Sequence, residues 1–204
     1  MFGVQWEQTV DGKADTGNMD IRGKKVGTTQ LQDQLTGMLI GLARATEGND
    51  HMVSESTSAV LIEGLFAALI NVNFDDDMLL GIMKRVEDEK RKLVPECFNC
   101  LSSCGRNNDY DMSKLWKANE DIRSLKTEIL LGIRGITAYA YQAAASGCKE
   151  ESIHKFLYKA LFAVGMDDWG REELYPIVLE ANEMNRKCMT MLDKGKTEIF
   201  DHPN

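Results

Sequence analysis

Six stretches of this chain place apolar residues three and four positions apart, and no stretch alternates apolar and polar residues as a half-buried strand would. That periodicity predicts an all-α protein. The first stripe is Leu31, Leu35, Met38, Leu39 and Leu42, with Gly48 as its stop; the second is Leu61, Leu65, Ala68, Leu69 and Val72, with Ser54 and Ser56 as cap candidates. A third runs from about Asp75 through Leu79, Ile82, Val86 and Leu93. Its acidic first turn, Asp75 to Asp77, and its basic Lys90-Arg91-Lys92 suit the two ends of a helix dipole, and Pro95 marks a break nearby. The later stripes are Ile122, Leu125, Ile129, Ile133, Ile136 and Ala140; then Ile153, Leu157, Ala160, Leu161 and Val164; then Leu174, Val178, Ala181, Met184, Cys188 and Met191.

The two sets of three resemble each other. Residues 66–76 align with residues 158–168 at a constant offset of 92, and Gly41-Leu42 aligns with Gly135-Ile136 at an offset of 94. Three amphipathic helices are the smallest number that can enclose a core as an antiparallel bundle. The expectation is therefore two packed three-helix bundles related by a weak internal repeat, at 31–104 and 119–195, with a polar linker at 105–118 and a tail at 196–204. Residues 1–30 carry five glycines among polar side chains and no sustained periodicity, so they read as an irregular N-terminal segment.

Composition narrows the function classes. Against 32 acidic residues stand 24 basic ones, a net charge of -8, which repels phosphate backbones and anionic lipid surfaces; neither nucleic acid nor membrane is an expected partner. No leading apolar run is long enough for a signal peptide or a membrane span, and the five cysteines are an odd number, so the chain reads as cytoplasmic and reduced. Neither GxxxxGK[ST] nor GxGxxG occurs.

Few residues could carry chemistry. Cys97, Cys100 and Cys104 form C-x2-C-x3-C, which would need a fourth ligand to hold zinc or an iron-sulfur cluster. The same positions extend the third apolar stripe, and packing is the preferred reading because free cysteine behaves as a small hydrophobe. Cys188, on the last stripe, is expected in the core. Glu151-Ser-Ile-His154 has the Glu-x-x-His spacing of di-iron bundles, which need two such elements. A single copy at a predicted helix start is better explained by capping. His51 and His202 fall in polar sequence and are expected to be solvated, and Asp75 to Asp77 lack the glycine and final glutamate of a calcium loop. Phe2 and Trp6 stand out in the N-terminal segment, where each could anchor it to the bundle.

Those N-terminal residues carry a specific resemblance. Met1-Phe2-Gly3-Val4-Gln5-Trp6-Glu7-Gln8-Thr9 resembles the M-F-C-x-Q-C-x-x-T opening of the hybrid cluster proteins, the prismane or hydroxylamine reductase family, in all but the cysteines. Thr16-Gly17-Asn18, Gly23-Lys24-Lys25, Leu31-Gln32-Asp33-Gln34-Leu35, Gly64-Leu65-Phe66, residues 71–75, Asn119 to Leu125 and Gly135 to Ala140 extend it along the whole chain. The match falls on the family's N-terminal helical domain only. The resemblance implies longer relatives, with two further α/β domains holding most ligands of a hybrid iron-sulfur-oxygen cluster and with reductive chemistry on small nitrogen oxides; the chain ends about where that part would begin. Nickel carbon monoxide dehydrogenases, more distant relatives, fit the opening less well.

In that family four N-terminal cysteines, spaced C-x2-C-x11-C-x6-C or slightly closer, hold an electron-relaying cubane cluster. Here the matching positions are Gly3, Trp6, Asn18 and Lys25, or Lys24 if the loop is shorter, and none offers a thiolate. The expectation is an isolated helical domain with no Fe-S cofactor of its own, not catalytic alone, acting as a scaffold or interaction module toward the missing α/β domains or another protein chain. The alternative is a redox or metal protein that uses Cys97, Cys100 and Cys104.

Overall fold

The computed structural model describes residues 26–47, 49–69, 75–93, 109–145, 147 and 150–200, and these are helical with no strand among them. Seven α-helices follow one another: α1 (Val26–Thr46), α2 (Glu55–Leu69), α3 (Asp76–Leu93), α4 (Met112–Lys117), α5 (Glu120–Ala145), α6 (Glu151–Gly165) and α7 (Arg171–Phe200), with a 3-10 turn at Asp50–Met52. The all-α class holds.

Local chemistry sets several helix starts. Ser54 caps α2, its hydroxyl accepting from the Thr57 N–H at 3.2 Å while the Thr57 hydroxyl accepts from the Ser54 N–H at 3.3 Å. Ser56, the other cap candidate, instead donates to the Glu89 carboxylate of α3 at 3.0 Å. Asp75 caps α3 by accepting from the Asp77 and Met78 N–H groups at 3.0 and 3.2 Å, so the acidic run is a helix start as its sequence suggested.

Helix α1 begins five residues before the first apolar stripe. Its opening turns bury polar side chains: Thr28, Thr29, Gln32 and Thr36 are all at most 2% exposed. They are tolerated because they find partners, with Thr28 donating to Asp76 at 2.6 Å, Gln32 to the Ala67 carbonyl at 3.1 Å and Thr36 to the Gln32 carbonyl at 2.8 Å. Residues 26–30 thus belong to the helical body rather than to an irregular segment. The expected linker differs too, since α4 forms inside it. Asp111 caps α4 by accepting from the Ser113 N–H at 2.9 Å, and Tyr110, Met112 and Leu115 are buried. At the other end α7 continues to Phe200, into the stretch expected as a tail.

Within each set of three, every helix packs on the other two: α1, α2 and α3 on one side, α5, α6 and α7 on the other. The sets then meet reciprocally, α1 against α6 and α2 against α5, so each set's first helix packs on the other's second. Buried apolar side chains from both sets form one continuous cluster. Close approach is enforced by glycines. A Cβ on Gly37 would clash with the Tyr110 carbonyl oxygen, and the Tyr110 N–H donates to the Gly37 carbonyl at 3.0 Å, which ties the α4 segment to α1. A Cβ on Gly132 would lie 2.9 Å from that of Ala181, so α5 and α7 also need a small residue at their crossing.

Candidate functional site

Most residues singled out in the sequence fall outside the described part of the chain: Gly3, Trp6, Asn18, Lys24, Lys25, Phe2, His202, Cys97, Cys100 and Cys104 are all there. Among the described residues no group of three His, Cys, Asp or Glu side chains could hold a metal ion. Cys188 is 0% exposed, and burial, aided by the Glu150 carboxylate, pushes its thiol up to about 11, so it is a packing residue. His51 is exposed, as expected of a loop histidine.

The exception is Glu151-x-x-His154. Glu151 lies in the first turn of α6 and pairs with Lys155 at 2.8 Å, as a capping-turn acid would. His154, one turn on, lines a half-open cavity of about 730 Å³ between the C-terminal end of α1, the start of α2 and α6. Apolar surface dominates its walls, with Ala43, Val53, Phe162 and Trp169 contributing, and the Phe162 and Trp169 rings meet edge to face at 5.9 Å. Tyr158 forms part of the wall, 8% exposed, and its hydroxyl meets no hydrogen-bond partner among the described residues. Burial pushes this phenol up to about 12; the Ser58 hydroxyl beside it pulls the other way, and the Glu89 carboxylate adds to the rise. Tyr158 therefore remains a neutral O–H donor across the physiological range.

Glu89 stands behind this wall with its side chain 8% exposed. Burial opposes its charge, but the Lys92 ammonium at 2.7 Å and the hydroxyls of Thr57 at 2.8 Å and Ser56 at 3.0 Å outweigh burial and hold the carboxyl below its usual range. The two ammonium groups on the cavity's α6 wall are matched as well: Lys155 by Glu151, and Lys159 by Glu180 at 2.6 Å.

At the opposite end of α6 three cations converge on one turn. Arg44 donates to the Gly165 carbonyl, Lys126 to the Met166 carbonyl at 2.6 Å, and Lys114 pairs with Asp167 at 2.8 Å. Arg44 and Lys126 also lie over the Tyr110 ring, 5.3 and 5.8 Å from its centroid. The negative end of a helix dipole and its unpaired carbonyls explain why cations gather there. Lys126 is 2% exposed, and burial lowers its pKa, with Asp167 opposing that fall. This buried lysine was missed in the sequence, where nothing distinguishes it from a solvated one.

Comparison with known proteins then places the chain. The profile of the Prismane/CO dehydrogenase family matches residues 16–204. The chain belongs to that family. It is 34% identical to the hydroxylamine reductase of Methanococcus vannielii over 98% of its length, 33% identical to that of Methanocella arvoryzae over 100%, and 32% identical to that of Maridesulfovibrio salexigens over 100%. It spans about 40% of the length of these relatives. The cubane cluster that the family resemblance implies does not fit the donor set here: no cysteine precedes Cys97, and Gly3, Trp6, Asn18 and Lys25 supply no thiolate. No helix among the described residues is long and apolar enough to cross a membrane.

Proposed function

We propose that this chain is a cluster-free helical domain of hydroxylamine reductase type, non-catalytic by itself, that serves as a scaffold or interaction module in the cytoplasm. The observation that carries this reading is the missing thiolates. Where family members need four cysteines to hold a relay cluster, glycine, tryptophan, asparagine and lysine stand, and hard redox chemistry belongs to the cofactor rather than to a protein shell. Its natural partner is then the further sequence that makes its relatives longer, or another protein chain. In this reading the two sets of helices, 31–104 and 119–195, act as one rigid platform, since they share a core.

Iron, sulfide and zinc are counted on protein purified without oxygen, and hydroxylamine turnover is measured with reduced viologen as donor. The expected result is no metal and no turnover above heat-killed protein. About one zinc or several irons per chain would favour the reading in which Cys97, Cys100 and Cys104 bind metal. Changing Gly3, Trp6, Asn18 and Lys25 together to cysteine should restore iron and sulfide binding on anaerobic reconstitution; a folded, colourless variant would show that these positions do not match the family's ligands.

A further inference from the structure

A groove of about 530 Å³ opens between the early turns of α1 and the α4 segment. Three carboxylates line it, Asp33, Asp109 and Asp111, together with the Met112 and Trp116 side chains, and no lysine, arginine or histidine is among its described lining residues. Two of the acids are matched close by: Asp109 accepts from Lys90 at 2.7 Å, and Asp111 caps α4. The third, Asp33, is closed off from water at one oxygen, and a buried carboxylate is stable as an anion only beside a cation. Burial pushes its carboxyl up to about 6, while the charge of the chain's N-terminal ammonium and a hydrogen bond from that group pull it down.

We propose that this groove seats the chain's own N-terminus: the Met1 ammonium pairs with Asp33, Phe2 packs on Met112 and Trp116, and residues 1–25 close into a loop against α1 and α4. Charge selects this occupant. An ammonium supplies the positive charge that the lining of the acidic groove lacks, and its hydrogen bond to a carboxylate is about twice as strong as one between neutral groups. Apolar surface selects it as well, since Phe2 follows the ammonium directly and gains by burying its ring. Chain length allows it. Residue 25 joins α1 at Val26, about 10 Å of helix away from Asp33, and residues 1–25 are long enough to span that distance several times over. The inference goes beyond the scaffold reading and does not depend on it.

The test compares three forms of the intact chain: unmodified, acetylated at the α-amine, and Asp33→Asn, each checked for helix content by circular dichroism. Trypsin cleavage after Lys13 reports whether the segment is seated. Acetylation removes the positive charge without changing the sequence and should speed that cleavage at least about tenfold, the size of one hydrogen bond between charged groups. Asp33→Asn should do the same. Acetylating the Asp33→Asn chain should add nothing further, because both changes break one pair. NMR titration supplies a readout that a merely structural role would not move. The α-amine should titrate above its ordinary range of about 7.7–8.0, helped by Asp33 and by the Asp109 and Asp111 carboxylates of the same groove, and should lose most of that rise in Asp33→Asn. The proposal is overturned if acetylation leaves the cleavage rate of the folded chain unchanged, if the two changes add, or if the α-amine titrates alike in the unmodified chain and in Asp33→Asn. Protection of Lys13 that falls on dilution would place the N-terminus of a second copy in the groove and overturn it too.

Discussion

The two contacts between the helix sets are built on related sequence, yet they solve the same packing problem with different chemistry. Where α2 meets α5, the Phe66–Tyr141 stack bridges the sets. Where α1 meets α6, a tight crossing at Gly165 is flanked by a buried cation network at one end and an open cavity at the other. A Cβ on Gly165 would lie 2.7 Å from the Ile40 side chain and 2.8 Å from Arg44 Nε, so this crossing leaves no room for a larger residue. A repeat thus preserves helix order and register while the side chains at equivalent contacts diverge. The α1–α6 contact, which buries charge and an unpartnered phenol, should be the more sensitive of the two to mutation and to pH.

The largest effect is expected at Lys126. Truncating a side chain that is 2% exposed leaves a void and strips the Met166 carbonyl of its donor, so Lys126→Ala should lower unfolding stability by about 2–4 kcal/mol in urea denaturation. Lys126→Met keeps the length and removes a buried charge, so it should recover about 1–2 kcal/mol of that loss. Equal losses for both variants would mean that packing contributes little there and that the ammonium, through its bond to the Met166 carbonyl, carries the effect.

Next in size is an alkaline transition. Tyr110 and Tyr158 both titrate near 12 in the folded protein, chiefly through burial, against an ordinary value of 10.0. The folded state therefore holds two protons that the unfolded chain gives up above pH 10. Stability is fully present below pH 10 and falls as pH rises from 10 to 12, by about 2–3 kcal/mol for each tyrosine. Tyr158→Phe should remove roughly half of that decline in denaturant titrations at pH 9 and pH 12.

How much of this was legible in the sequence divides along the same physical lines. The apolar stripes located the helices because period and burial go together: Leu35, Leu61, Leu79, Ile133, Leu157 and Leu174 are each 0% exposed. Ser54 and Asp75 announced their helix starts, and Cys188 its place in the core. What the pattern hid is burial by polar residues. Thr28, Gln32 and Thr36 extend α1 through hydrogen bonds made to residues up to 48 positions away or within their own turn, and no local hydropathy signal shows that. Helix α4 spans six residues, too few for a period to emerge. The cavity was invisible for a different reason. It depends on α1 packing against α6 across the repeat, and Glu151-x-x-His154 marked one wall of it while suggesting only a cap.

A smaller effect should appear at the aromatic contact. The Phe66–Tyr141 pair is partly open to solvent, so a double-mutant cycle with Phe66→Ala and Tyr141→Ala should give a coupling of about 0.5–1 kcal/mol, the low side of the range for stacked rings. Zero coupling would show that the stacked geometry adds nothing beyond the area the two rings bury.

The smallest effect should be at Lys114, and it isolates what makes the α1–α6 contact sensitive. Lys114 pairs with Asp167 at 2.8 Å on the same turn that Lys126 reaches, but both partners are about half exposed, with side-chain exposures of 54% and 51%. Water and salt screen such a pair, so Lys114→Ala should cost no more than about 0.5 kcal/mol, and less still in 1 M salt. Lys126 lies one carbonyl away and carries the same charge, so the local field of the helix end is shared by both lysines. A large gap between the two variants assigns the sensitivity to burial and to the carbonyl hydrogen bond. Comparable losses at low salt would instead assign it to the summed positive charge at the end of α6, and Lys126→Met should then be as damaging as Lys126→Ala.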